Sequence, residues 1–245
     1  MAMGLLAVAF PGAAQPERSP PPVTAGLGAV ASPSPYTGVD EAPLTVVPFV
    51  NLELDRFYLR GLEAGYRLTK IGPLTVNAVG QPRLQNFTAN DSAALAGMTS
   101  RRRTAEAGFR GQLQKGRWEA GLRAVTDLLG RHSGQVVTAE ASVRLGGPMV
   151  TVKPAAGIQW QSRDFVNYYS GVRSDEARAG RQAYTGKAAT NPFVGASTRV
   201  RLGKKWGIFA LVRHYWLDEG ITDSPIVDTR TDYSGVLAVT RAFGS

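Results

Sequence analysis

The chain has 245 residues, with 28 Lys and Arg against 19 Asp and Glu, a formal net charge of +9 and no cysteine. The lack of cysteine excludes disulfides, thiolate metal sites and cysteine nucleophiles. The basic residues are scattered, without a basic helix or an aromatic RNA-binding motif, so the charge does not point to nucleic acid. No run of about 18 apolar residues is present that could form a transmembrane helix.

The first residues read 1-MAMGLLAVAFPGAAQPERSPPP-22. A short apolar core, Gly4 to Phe10, is followed by the small residues Gly12-Ala13-Ala14. This predicts a secretory signal peptide over 1–14, although the usual basic start is missing. Residues 15–22 form a Pro-rich spacer that cannot enter a sheet interior. The remainder, 23–245, reads as a single domain.

From there the dominant pattern has period two. Strands are predicted at 23–31 and 44–54. In 56-RFYLRGLEAGYRLTK-70 the alternation slips near Arg60-Gly61, which fits either two short strands or a bulge. Alternation resumes over 74–86 and 103–114. In 117-RWEAGLRAVTD-127, Trp118, Ala120, Leu122, Ala124 and Thr126 share one face, and Glu119, Arg123, Val125 and Asp127 the other. The segments at 136–145, 150–161, 193–202, 205–217 and 232–243 repeat the pattern. Short turns at 115–116, 146–148 and 203–205 alternate with longer loops at 86–101, 128–134, 163–190 and 218–231.

This is the plan of an all-β, antiparallel, up-and-down barrel. Many of its segments run about 10–12 residues, longer than ordinary strands and long enough to cross a bilayer at a tilt. The apolar faces are rich in Ala, Val and Leu. The polar faces carry both charge signs, as a narrow lumen requires. Glu106, Arg110, Glu119, Arg123, Glu140 and Arg144 are expected to form a lumen charge network. Trp206 and Trp216 share a face of one strand, roughly 33 Å apart along it, which at a tilt near 40° matches the separation of two aromatic girdles. With both ends in the periplasm the strand number is even. About ten to twelve strands are expected, and twelve if 56–70 is two strands.

The loop 165-FVNYYSGVRSDEARAG-180 has two readings. It is a lid or recognition loop, with Tyr168, Tyr169, Asp175, Glu176 and Tyr184 as contacts and 174–178 as a short helical turn. Alternatively, the tyrosines belong to the upper girdle and the loop plugs the lumen. Arg101, Arg102 and Arg103 could hold lipopolysaccharide phosphates, which arginine pairs with bidentately. His132 with Ser133 and Asp127, and His214 near Asp218, Asp223 and Ser224, raise a rim hydrolase, although neighbours on a strand point to opposite faces. No metalloprotease, nucleophile-elbow or phosphate-loop motif occurs. No catalytic residue, metal ligand or cofactor is expected.

Several stretches in order carry a resemblance. They are 36-YTGVD-40, 56-RFYLRG-61, 91-DSAALAGM-98, 106-EAG-108, 127-DLLGRHSG-134, 157-GIQWQSRDFVNYYSGV-172, Glu176-Ala177, Tyr184 and 223-DSPIV-227. Together they resemble the MipA/OmpV family of Gram-negative outer-membrane proteins. Family members more often carry Phe where Ser170 stands. The resemblance implies a twelve-stranded outer-membrane barrel, not an enzyme. It also implies a scaffold or interaction role in murein turnover or envelope stress, with a lytic transglycosylase and a peptidoglycan synthase as partners beside outer-membrane lipid and lipopolysaccharide. A narrow porin-like channel for small solutes is the alternative that the polar lumen suggests.

Overall fold

The computed structural model describes residues 23–31, 34–39 and 44–243. The signal peptide and spacer expected over 1–22 lie outside the described residues.

The strands in chain order are β1 (Val23–Ala31), β2 (Leu44–Leu54), β3 (Phe57–Gly61), β4 (Glu63–Ile71), β5 (Leu74–Arg83), β6 (Thr104–Lys115) and β7 (Trp118–Asp127). They continue as β8 (Gln135–Val143), β9 (Leu145–Gly146), β10 (Val150–Gln161), β11 (Ala189–Leu202), β12 (Trp206–Trp216) and β13 (Thr231–Phe243). β8 and β9 are two stretches of one strand interrupted at Arg144, so thirteen stretches make twelve strands. The Arg144 amide still bonds the Arg117 carbonyl at 2.8 Å. Each strand pairs antiparallel with its chain neighbours. β13 returns to β1, from Val23 opposite Phe243 to Ala31 opposite Gly235, and closes the barrel.

The slip near Arg60-Gly61 is a tight turn. Gly61 has φ of 62°, and Arg60 lies opposite Glu63 across the hairpin. Glycine adopts this left-handed conformation without steric cost. A separate bulge shifts the β4–β5 register between Arg67 and Thr69.

The apolar face of each strand points outward, as lipid requires. Leu122, Phe109, Ile158, Val212 and Leu237 are all exposed on the outer wall. Trp206 and Trp216 are exposed at opposite ends of β12, and His214 between them packs against the Trp216 and Tyr233 rings. The odd-numbered residues of β12, Phe209, Leu211, Arg213 and Tyr215, turn inward. Among the described residues no helix is long and apolar enough to cross a membrane; the strands make the crossing.

Inside, two apolar clusters form. One joins the long loops at one end of the barrel. The other, Val30, Val47, Phe49, Phe209, Val236 and Ala238, lines the lumen on the side of β1, β2, β12 and β13.

Candidate functional site

The long loops fold into a cap over the outer mouth. Its centre is the helix α1 (Arg163–Ser170), inside the loop that follows β10. Ser162 starts it: the Ser162 Oγ accepts from the Phe165 amide at 3.4 Å and from the Gln135 amide at 2.9 Å. Asp164 sits in the first turn, where a negative charge complements the helix dipole. The helix buries Phe165, Val166, Tyr169 and Ser170. Against them pack Tyr36 from the β1–β2 loop, Phe87, Leu95 and Met98 from the β5–β6 loop, and Ile221, Ile226 and Val227 from the β12–β13 loop. The Tyr36 hydroxyl donates to the Tyr169 carbonyl at 3.0 Å, and the Ser224 hydroxyl donates to the Ser170 carbonyl. Burial pushes the phenols of Tyr36 and Tyr169 well above the usual tyrosine range.

A charged clamp ties two loops of the cap together. Arg101 donates to the two carboxylate oxygens of Glu176 at 3.0 and 2.8 Å. Glu176 also accepts from the backbone amides of Thr99 at 2.9 Å and Arg173 at 3.1 Å. Burial opposes ionisation of Glu176. The Arg101 hydrogen bonds and these amides outweigh it and hold the carboxyl at about 2, below its ordinary 4.5. Arg181 adds a second tie, donating to the carbonyls of Ala94 at 2.6 Å, Ala96 at 3.0 Å and Glu176 at 2.6 Å.

The expected loop contacts therefore fall in different places. Tyr169 and Glu176 are inside the cap. Asp175 is exposed. Tyr168 and Tyr184 line an outward cleft of about 600 Å³ together with Arg173, Asp164, Asn167 and His132. The Tyr184 hydroxyl donates to the Gly220 carbonyl at 2.8 Å. Of the three arginines set aside for lipopolysaccharide, Arg101 is engaged with Glu176. Arg102 and Arg103 remain exposed, with Arg103 donating to Asn86 at 3.2 Å.

Below the cap lies the lumen charge network. Arg83 pairs with Glu106, and both side chains are fully buried. Gln81 donates to Glu106 at 3.1 Å and accepts from Arg123. Arg110 pairs with Glu63, which also accepts from the Tyr58 hydroxyl at 3.3 Å. Nearer the other end, Glu119 accepts from Arg144 at 2.7 Å and from Lys153, and Glu140 accepts from Arg213. All six expected lumen charges thus face inward. Glu63, Gln81 and Arg83 complete the network and were not singled out from the sequence. Asn77, Gln81 and Arg83 stand at every other or fourth position of one strand, a polar-face signal that was available. The Phe165 ring covers the Arg83 guanidinium at 4.5 Å and joins cap to lumen.

The histidines do not assemble a triad. Asp127 Oδ2 accepts the backbone amides of His132 and Ser133, at 2.6 and 3.0 Å, and shapes the loop. The His132 Nδ1 accepts from the Gly134 amide at 3.0 Å, so its Nε2 carries the proton of the neutral ring and faces Glu106 at 3.8 Å. Burial and the Arg83 guanidinium push the His132 pKa down against the pull of Asp127 and Glu106. Asp218 caps the short helix α2 (Glu219–Thr222), and Ser224 is bonded within the cap. Among the described residues no group of three or more His, Cys, Asp or Glu side chains could hold a metal ion.

The family described as MltA-interacting protein MipA matches residues 25–243. The chain belongs to this family. Its relatives include the MltA-interacting protein of Escherichia coli K12, 31% identical over 211 residues, covering 83% of this chain and 82% of the relative. The outer-membrane protein YiaT of the same strain is 28% identical over 222 residues, covering 89% of each chain. OmpV of Vibrio cholerae is 28% identical over 144 residues, 58% of this chain and 56% of the relative. Those relatives are named as interacting or outer-membrane proteins, not as enzymes. This MipA-family chain is a twelve-stranded β-barrel of the Gram-negative outer membrane. Its long loops therefore face outward and its short turns face the periplasm.

Proposed function

We propose that the protein is an outer-membrane scaffold that docks a periplasmic enzyme of murein turnover through its short-turn rim. The observation that carries this reading is the charge of that rim. Arg56, Lys115, Arg117, Lys204 and Lys205 stand exposed on the turns at the periplasmic end. At the other end, the buried Arg101, Glu176 and Arg181 hold the cap, and Arg102, Arg103 and Arg173 are exposed beside them. An exposed basic ring suits an acidic surface and speeds its docking. The name of the 31%-identical relative, MltA-interacting protein, supports a murein enzyme as the partner class.

The test is co-purification of lytic transglycosylase from native envelopes on the tagged barrel. Arg117→Glu with Lys204→Glu and Lys205→Glu should abolish recovery while the barrel keeps its heat-modifiable gel migration. Equal recovery with the reversed rim would overturn the reading.

The charged lumen favours a second reading, a narrow solute channel gated by the cap. Ion conductance in planar bilayers distinguishes it, because a scaffold with a packed cap conducts no steady current at neutral pH.

A further inference from the structure

The two faces of helix α1 meet different surroundings. Phe165, Val166, Tyr169 and Ser170 are buried in the cap. Asp164, Asn167 and Tyr168 border the outward cleft of about 600 Å³. The walls of this cleft are held by bonds that leave it open. The Tyr168 hydroxyl accepts from the Arg102 amide at 2.9 Å, and the Tyr168 carbonyl accepts from the Arg101 guanidinium at 2.6 Å. Val172 and Tyr184 exchange backbone hydrogen bonds at 2.8 and 2.9 Å. The Asn167 Oδ1 accepts from the Gly186 amide at 3.1 Å. A Cβ at Gly186 would stand 2.6 Å from the Asn167 backbone nitrogen, so glycine is what lets this loop lie against the helix. The cleft is therefore pre-formed, as small-molecule sites usually are.

These bonds leave a particular set of groups free along the lining. Asp164 and Arg173 are exposed and form no ion pair among the described residues. The Asn167 side-chain nitrogen has no partner among the described residues either. Ser133, Ser174 and Thr185 bring exposed hydroxyls. The Tyr168 and Tyr184 rings are half-buried in the walls. One concavity thus offers a carboxylate that accepts, a guanidinium and an amide that donate, hydroxyls that do both, and two aromatic rings.

We propose that this cleft binds a short saccharide at the outer cell surface. Each sugar hydroxyl both donates and accepts, so adjacent hydroxyls match the paired oxygens of Asp164 and the paired N–H groups of Arg173. The C–H face of a sugar ring suits the electron-rich face of a tyrosine. The volume lies within the roughly 300–1,000 Å³ of small-molecule sites. Other occupants fit less well. A lipid chain needs an apolar lining, and Val172 and Ala183 are the aliphatic side chains here. A peptide added as a strand needs an unpaired backbone edge, which the Val172–Tyr184 pairing removes. Phosphate needs clustered cations, but Arg101 is engaged with Glu176 and Asp164 repels an anion, which leaves Arg173 alone. The cleft is independent of the periplasmic rim and stands or falls separately from the scaffold reading.

Saturation-transfer NMR on the full barrel in phosphatidylcholine nanodiscs tests it. The probes are maltotriose, chitotriose and the core oligosaccharide released from lipopolysaccharide, with trialanine and inorganic phosphate for comparison. The expected result is transfer to the ring protons of at least one saccharide. Asp164→Ala with Arg173→Ala should weaken its Kd by about tenfold or more. Thr185→Trp, which fills the cleft, should abolish the signal. Each variant should keep the heat-modifiable gel migration of a closed barrel. If the double variant fails to fold, Asp164→Asn takes its place, because it keeps the shape and removes the charge. A signal from the core oligosaccharide alone would assign the cleft to the cell's own surface sugars, and one from maltotriose or chitotriose to free saccharide. No saccharide signal, a signal unchanged in the variants, or a signal from trialanine or phosphate alone would overturn the proposal.

Discussion

Arg101 and Glu176, 75 residues apart in sequence, form a bidentate ion pair with each side chain 2% exposed. It joins the loop before β6 to the loop after β10, and so locks the outer mouth. Because the folded pKa of Glu176 is depressed from 4.5 to about 2, its contribution is full above pH 4.5 and is lost as pH falls toward 2. The cap should therefore loosen within that window and hold at neutral pH. Planar-bilayer current measured from pH 7 down to 2 should stay at baseline until about pH 4.5 and then rise. A flat trace across the window would show that the pair does not gate the mouth.

Removing one partner leaves the other charge buried and alone, which costs roughly 3–5 kcal/mol in a buried pair. Glu176→Gln should therefore open the cap at neutral pH. The exposed Arg102, Arg173 and Arg178 make the opened cap a trypsin substrate. Cleavage in intact vesicles should accelerate by about a hundredfold or more over the unaltered protein, while the barrel strands stay protected.

The barrel was legible in the sequence because lipid and lumen impose opposite chemistry on alternate residues, as in Leu122 against Arg123. The cap was less so. Residues 163–170 fold as a helix whose signals were present: Ser162 as a cap, Asp164 behind it, and Phe165, Val166 and Tyr169 on one side. They were masked by the expectation of an irregular loop. At Gly61 the break in alternation was visible, but a turn and a bulge leave the same mark in sequence, and only the backbone conformation separates them. The charge pairs were hardest. Arg110 on β6 reaches over β5 to Glu63 on β4, and Arg213 on β12 reaches Glu140 on β8. Closure of the wall decides such partners, and strand order along the chain does not.

The β3–β4 hairpin depends on a close approach of ring to backbone. Tyr58 lies opposite Gly65, and a Cβ at Gly65 would stand 2.0 Å from the Tyr58 Cζ. Gly65→Val should expel the ring and break its hydrogen bond to Glu63. Overpacking of this kind costs about 1–3 kcal/mol. The midpoint of urea unfolding in vesicles should fall accordingly, and Gly65→Val combined with Tyr58→Ala should recover part of the loss. No recovery in the double variant would mean that the clash is not the cause.

The outward assignment of the apolar faces predicts a dependence on depth. Leu122 lies midway along β7, and Leu202 ends β11 beside the periplasmic turn. Both side chains are exposed to what surrounds the barrel. An arginine at the bilayer midplane costs roughly 2–4 kcal/mol, and near the interface about 0–1 kcal/mol. Leu122→Arg should therefore lower the unfolding free energy in vesicles by several times as much as Leu202→Arg. Water around the wall would erase the difference, because a surface leucine in a soluble barrel tolerates arginine equally at both heights. Equal, small effects would place the apolar belt in water and reverse the reading of the two faces.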